Sequence, residues 1–203
     1  MEQTLTVARA LFAEHGYTAV TMDEVAAAVG VTKPLLYNYF GNKEQLYIAC
    51  MERAGDSLTA TVGEAVAATA SPGEALGAGV RAFFAFLDSD RAAWAVLFDE
   101  TLPRGGEVAD RVASYRGHIL ELVSGSMLAQ LPTDLRGAAR IEVEALSTAL
   151  LGAAEALARW WLRTEALSAD AAADLLISTI EPGLRARSTP TASRPHEKGT
   201  TSR

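Results

Sequence analysis

Residues 21–44 read TMDEVAAAVGVTKPLLYNYFGNKE, and the fold of the chain turns on them. Thr21-Met-Asp-Glu24 has the form of a capping box, in which a Thr hydroxyl and a Glu carboxylate satisfy each other's unpaired backbone N–H groups at a helix start. Val25, Ala26 and Val29 follow at the spacing of a helix with one buried face, and Gly30 stands where the chain must turn with positive φ. Thr32 is placed to cap a second helix, and Pro34 falls in its first turn, where a missing N–H costs no helical bond. The stretch therefore predicts two short helices joined by a tight turn, with Ala26 small enough to let them approach closely.

At about 100° per residue, Leu36 and Phe40 share the inner side of the second helix, and Pro34, Leu35, Tyr37 and Asn38 the outer. A helix of that width fits the major groove of B-DNA, its N-terminal residues near base edges and its flanks near phosphates. Thr32, Lys33, Pro34, Leu35 and Asn38 are the expected readers, with Tyr37 and Tyr39 at the edges. Asn42 and Gln45 form a second cap signature, so that Lys43 brings a cation to a helix start, a place suited to a phosphate oxygen.

Upstream, Leu5, Ala8, Leu11 and Phe12 share one face of a helix over residues 4–15 that ends near Gly16. Downstream, a long helix runs from Asn42 to about Ala70 despite Gly55 and Gly63, and Ser71-Pro72-Gly73-Glu74 reads as a further capping box opening a helix to about Leu87. Asp88-Ser89-Asp90 breaks that helix and caps a shorter one through Trp94, Leu97 and Phe98. Pro103-Arg-Gly-Gly106 is the clearest loop. A helical stripe then runs to about Leu131, stopped by Pro132; Thr133 caps a helix to about Arg163, and Ser168 caps the last. Pro182 is expected to kink or end that helix, and residues 188–203, STPTASRPHEKGTTSR, have too few apolar side chains to fold and are expected to be a disordered tail. No segment alternates with period two, so the expected class is all-α with about nine helices.

The chain has 203 residues, 49% of them hydrophobic, enough for a sizeable core. No run is long and apolar enough for a membrane span, and the N-terminus lacks the pattern of a signal peptide, so a cytoplasmic protein without membrane contact is expected. Cys50 is the single cysteine, which leaves no intramolecular disulfide and a small apolar packing role. The histidines are scattered and no nucleophile or phosphate-cradling motif occurs; the chain is expected to be neither an enzyme nor a holder of a metal or cofactor. The formal net charge is -7. Within residues 1–50, Arg9, Lys33 and Lys43 face Glu2, Glu14, Asp23, Glu24 and Glu44, a balance that predicts few phosphate contacts and a modest dependence of DNA affinity on salt.

Leu11-Phe12-Ala13-Glu14-His15-Gly16-Tyr17, Thr21 to Ala26, Gly30-Val31-Thr32 and Leu36-Tyr37-Asn38-Tyr39-Phe40 through Lys43-Glu44 together resemble the N-terminal domain of TetR-family transcriptional regulators. The resemblance covers about the first quarter of the chain and fills nearly every framework position in order; Pro34 stands where the family often has Gly or Ala. It implies phosphate contacts by Thr21, Tyr37, Tyr39 and Lys43, and base or groove contacts by Thr32, Lys33, Pro34, Leu35 and Asn38. It also implies that the final two helices, with Leu146, Leu150, Leu157, Trp161, Leu175, Leu176 and Ile180, meet their copies across a two-fold axis. A dimer is expected independently, because one short recognition helix reads too few bases, whereas two heads about 34–36 Å apart read successive major grooves of a palindrome. The resemblance further places a small-molecule inducer in the body, near Phe83, Phe84, Phe86, Trp94, Phe98, Tyr115, His118 and Met127. The scarcity of charge there favours an apolar or aromatic compound.

The expected architecture is thus a three-helix helix-turn-helix DNA-binding domain over residues 1–47, a helical ligand-binding and dimerisation domain over 48–187, and the tail. The expected function is a homodimeric repressor released from double-stranded DNA, at a palindromic operator, by a small molecule. The alternative is a helical dimer that binds a small molecule or a partner without binding DNA.

Overall fold

The computed structural model describes residues 2–98, 102 and 105–188. Among these residues the chain forms nine helices: α1 (Glu2–Ala19), α2 (Met22–Val29), α3 (Lys33–Phe40), α4 (Lys43–Ala67), α5 (Pro72–Ser89), α6 (Arg91–Leu97), α7 (Glu107–Ala129), α8 (Thr133–Thr164) and α9 (Ala169–Ser188). Pro103 and Arg104 of the expected loop, and residues 189–203 of the expected tail, lie outside the described residues.

Local chemistry sets most of the boundaries. Within α1, Gly16 adopts φ 75° and ψ 164°, so regular helix breaks there and the chain redirects before Ala19. Asn42 caps α4 by accepting from the Gln45 N–H at 2.8 Å, Asp90 caps α6 through Ala93 N–H at 3.1 Å, and Ser168 accepts from Ala171 N–H at 3.2 Å. Each side-chain oxygen satisfies a donor that the first helical turn leaves unpaired.

Four expectations at helix ends need correction. The Ser71 side chain makes no capping bond, so its box with Glu74 does not form; the turn is closed instead by Glu74 N–H donating to the Ser71 carbonyl at 3.1 Å. Thr32 occupies the cap position of α3 with extended backbone but likewise makes no side-chain bond, the pre-set φ of Pro34 helping to start that helix without it. Thr133 is the first helical residue of α8 rather than its cap, which is Pro132. Finally, α9 continues through Pro182 to Ser188. Pro182 and Ser178, whose carbonyl loses its helical donor, are both exposed, so the freed group lies where solvent can reach it, and the helix persists.

The long helix α4 is the spine, packed by α1, α5, α6 and α7, while α9 lies on α5 and α8 and α7 lies on α8. One apolar cluster runs from Ala8, Phe12 and Leu36 in the head through Leu46, Met51 and Leu58 of α4 to Phe84, Trp161 and Ile177 in the body. Tyr47 is fully buried at the junction of head and body. Its ring meets Phe12 and Tyr17 edge-on with centroids 5.0 Å away in each case, and its hydroxyl donates to the Val96 carbonyl at 2.6 Å. Trp161 is also core: its indole N–H donates to the Leu167 carbonyl at 2.8 Å and its ring meets Phe84 edge-on. No helix among the described residues is long and apolar enough to cross a membrane.

Candidate nucleic-acid interface and ligand cavity

The two helices read from residues 21–44 form as a packed pair. Thr21 and Glu24 complete the capping box: the Thr21 N–H donates to the Glu24 carboxylate at 2.8 Å and the Glu24 N–H donates to the Thr21 hydroxyl at 3.2 Å. The backbone N–H and hydroxyl of Thr21 hold the Glu24 carboxyl below its ordinary pKa. Gly30 closes α2 in the left-handed region, φ 79°, with its N–H shared between the carbonyls of Ala26 and Ala27. Val25 and Ala26 are buried beneath, and Leu36 faces them at 1% exposure.

This anchoring turns the other side of α3 outward. Leu35 and Tyr37 are each 40% exposed and Tyr39 is 60% exposed, values high for large apolar and aromatic side chains, while Thr32, Lys33, Pro34 and Asn38 are exposed beside them. The α3 residues expected to contact DNA therefore lie together on one solvent-facing surface. Thr21 is exposed at the start of α2.

Both lysines of this surface have partners within the head. Lys33 Nζ lies 2.7 Å and 3.0 Å from the two carboxylate oxygens of Asp23 and 5.8 Å from the centroid of the Tyr37 ring. The Asp23 hydrogen bond, and then its charge, raises the Lys33 pKa. Lys43 Nζ donates to the carbonyls of Tyr17 at 2.9 Å and Thr18 at 3.2 Å and sits 4.6 Å from the Tyr17 ring centroid. It thus satisfies the carbonyl end of α1, a role that its position in sequence did not disclose. The next residue, Glu44, accepts from the Val108 N–H at the start of α7 at 3.3 Å.

A cavity of about 1140 Å³ opens between α4, α5, α7 and α8. Of the residues expected to hold a ligand, Phe83, Phe98, Tyr115 and Met127 line it. Phe84 and Phe86 do not; they are 0% and 9% exposed and belong to the core. Trp94 stands behind Phe98, stacked on it at a centroid distance of 4.0 Å. His118 lines a separate chamber of about 310 Å³ with Glu52, Asp56, Arg111 and Ser114, and Tyr115 borders both spaces. The remaining wall is largely aliphatic, from Leu58, Val62, Val80, Ile119 and Leu146 among others, a pattern that a sequence cannot show because it draws one side chain from each of many turns. The single Lys, Arg or His side chain in the described wall of the large cavity is Arg116, which lies 3.5 Å from Glu155 and 5.2 Å from the Phe98 ring centroid.

The residues expected at a dimer interface scatter. Leu146 and Leu150 line the cavity, Trp161 and Leu176 are 2% and 6% exposed in the protomer's own core, and Leu157 and Ile180 pack against that core. Only Leu175, at 49% exposure, is strongly exposed among them. Helix periodicity reports that a residue is apolar but not which of two partners buries it. The exposed face of α8 and α9 instead carries Ile141, Trp160 and Leu175, with Ala145, Ala149, Gly152 and Ala156 between.

Residues 5–50 match the family model for bacterial regulatory proteins of the tetR family, and residues 72–181 match that for the tetracyclin repressor-like C-terminal domain. A TetR-like transcriptional regulator from Rhodococcus sp. RHA1 has the same fold with TM-score 0.73 at 30% identity, over 91% of this chain and 94% of that one. The transcriptional regulator FadR from Bacillus subtilis, solved with stearoyl-CoA, superposes with TM-score 0.75 at 19% identity over 90% of this chain and 98% of that one. The transcriptional activator FasR from Mycolicibacterium smegmatis is 36% identical over 110 residues, 54% of this chain and 50% of that protein, so the matched stretch spans half of FasR's length.

Proposed function

Because the chain belongs to the TetR family of bacterial regulatory proteins, we propose that it is a homodimeric repressor that recognises a palindromic operator through α3 and is released when a ligand with an apolar chain enters the 1140 Å³ cavity. The observation that carries this reading is the outward face of α3: Leu35, Tyr37 and Tyr39 stand in solvent on a helix whose other side is locked by a completed capping box and a buried Leu36. Nothing in the packing of the protomer requires those side chains outside, whereas a major groove gives them a partner.

Residues 1–47 act as the reading head and 48–187 as the sensing and dimerising body of a cytoplasmic protein. Thr32 to Leu35 and Asn38 address the groove, and Thr21, Tyr37 and Tyr39 flank it at the phosphates. Lys43 contributes a phosphate contact only by sharing its ammonium with the carbonyls of Tyr17 and Thr18. The dimer face is the surface bearing Ile141, Trp160 and Leu175 and the small residues between them, which let helices approach closely. The apolar cavity wall suits a long hydrocarbon chain, in keeping with the stearoyl-CoA bound by the B. subtilis FadR neighbour.

The test is selection of DNA fragments by the purified protein from a genomic pool, beside a Leu35→Ala/Tyr39→Ala variant whose exposed positions leave the fold untouched. Enrichment of a palindrome by the wild type alone supports the reading. Failure of the wild type to enrich any sequence at low salt would refute it and leave a helical binding protein without DNA. FasR is an activator, so transcription from the selected site, with and without the protein, reads the sign of regulation.

A further inference from the structure

Tyr115 borders both the large apolar cavity and the small polar chamber, and its surroundings dictate its hydrogen-bonding polarity. The Thr59 hydroxyl donates to the Gly55 carbonyl at 2.9 Å, as a helical threonine commonly does four residues back. The same hydroxyl lies 2.9 Å from the Tyr115 hydroxyl. A threonine has one hydroxyl proton, so the arrangement that satisfies both contacts gives that proton to Gly55 and makes the Tyr115 hydroxyl the donor in the second bond. In that arrangement the phenol proton is used and the Tyr115 oxygen faces a ligand as an acceptor. Burial raises the pKa of the phenol, which keeps it protonated in this arrangement.

The ring can take this position because residue 55 is glycine. A Cβ there would lie 2.2 Å from Tyr115 Cζ and 2.3 Å from its hydroxyl oxygen, distances no packing tolerates. Gly55 is thus a slot in α4 that seats Tyr115 of α7 between the two chambers. Beyond the ring, Glu52 and Asp56 add further acceptors, and the Arg111 guanidinium is already 3.5 Å from Glu52.

We propose that Tyr115 reads the polar end of the ligand by accepting a hydrogen bond, so that the site selects an apolar chain bearing an uncharged N–H or O–H donor, an amide or a hydroxyl, over the same chain ending in an ester or a carboxylate. The proposal rests on the cavity being the ligand site. A phenol that donates is polarised into a better acceptor, which strengthens the discrimination.

The experiment compares dodecanamide, methyl dodecanoate and dodecanoate, titrated into the full chain with tryptophan fluorescence as readout, since Trp94 stacks on the cavity residue Phe98. The amide is expected to bind about three- to tenfold tighter than the ester, the span of one neutral hydrogen bond. Tyr115→Phe, nearly isosteric, removes the acceptor and should bind amide and ester alike. Gly55→Ala, which keeps the hydroxyl but evicts the ring, should also abolish the preference. Equal binding of amide and ester by the wild type, tightest binding of the carboxylate, or a preference that survives in Tyr115→Phe would overturn the proposal and leave the cavity reading standing. If none of the three probes binds, the proposal falls together with the cavity as the site of a chain-like ligand.

Discussion

Asp23→Asn is the substitution that most directly probes how this acidic protein would grip DNA under the proposed function. Asp23 holds Lys33 at 2.7 Å, so in the wild type the lysine meets a phosphate only with a carboxylate beside it, and the pair together displaces little counterion. The Asn side chain is close in size and still accepts a hydrogen bond but carries no charge. Each lysine set free to neutralise a phosphate steepens the dependence of log K on log salt by about 0.9, so about 1.8 for a dimer, or about twelvefold in affinity over a fourfold change in salt. Fluorescence-anisotropy titrations of a non-cognate duplex between 50 and 200 mM salt, conditions set by the assay, measure the slope directly. Asp23→Asn should bind this duplex more tightly at the low-salt end and discriminate less against it. Adding Lys33→Ala should return the slope to the wild-type value. A slope unchanged in Asp23→Asn would refute the reasoning, because it would mean that Lys33 either is not restrained in solution or does not approach phosphates.

Further outcomes follow from the same geometry. Thr21→Ala removes one half of the capping box and should lower stability by about 1 kcal/mol, which denaturant titration would read; a loss too small to detect would show that Glu24 alone secures the end of α2. Tyr47→Phe deletes a buried hydroxyl bonded to Val96 at 2.6 Å and should cost about 1–2 kcal/mol, with an unaltered midpoint counting against the bond. Burial pushes the Cys50 thiol from an ordinary 9.0 up to about 12, opposed by the nearby Arg9 and Arg53 charges. The unfolded thiol therefore loses its proton first, and the contribution of Cys50 to stability, complete below about pH 9, should decline as pH rises toward about 12. Stability measured by equilibrium unfolding should accordingly fall more steeply with alkaline pH in the wild type than in Cys50→Ala; parallel curves would contradict the burial of the thiol.

What could be read from the sequence was whatever a few neighbouring residues decide. Thr21 with Glu24, Gly16, Gly30 and Asn42 announce helix ends because capping and positive φ are local, and the inner and outer sides of α3 follow from its period. Ser71 and Thr133 show where that logic stops: the same residue types stood at helix starts, but the backbone placed Ser71 without its capping bond and Thr133 one position inside the helix. The cavity was legible only in part. Phe83 and Phe84 are adjacent, meet edge-on with centroids 5.3 Å apart, and point to different fates, one to the cavity and one to the core, which only the placement of α5 against α4 and α9 decides. Trp161 was misplaced for a similar reason, since an apolar side chain on an outer helix serves equally well as core or as interface until its neighbours are known.

Lys43 and Glu44 are consecutive residues with opposite attachments. One fastens the end of α1 and with it the head; the other fastens the start of α7, the helix that carries Tyr115 and much of the cavity wall. The first turn of α4 therefore serves as a fulcrum. Under the proposed function, a ligand that tilted α7 would pull on Glu44, and the peptide bond to Lys43 would pass the pull to α1 without any long relay of side chains. On that reading, the angle of the reading helix and the shape of the cavity would be geared to a single turn. Separating these two attachments, by Glu44→Ala or Lys43→Met, should uncouple sensing from DNA release more readily than it weakens either one.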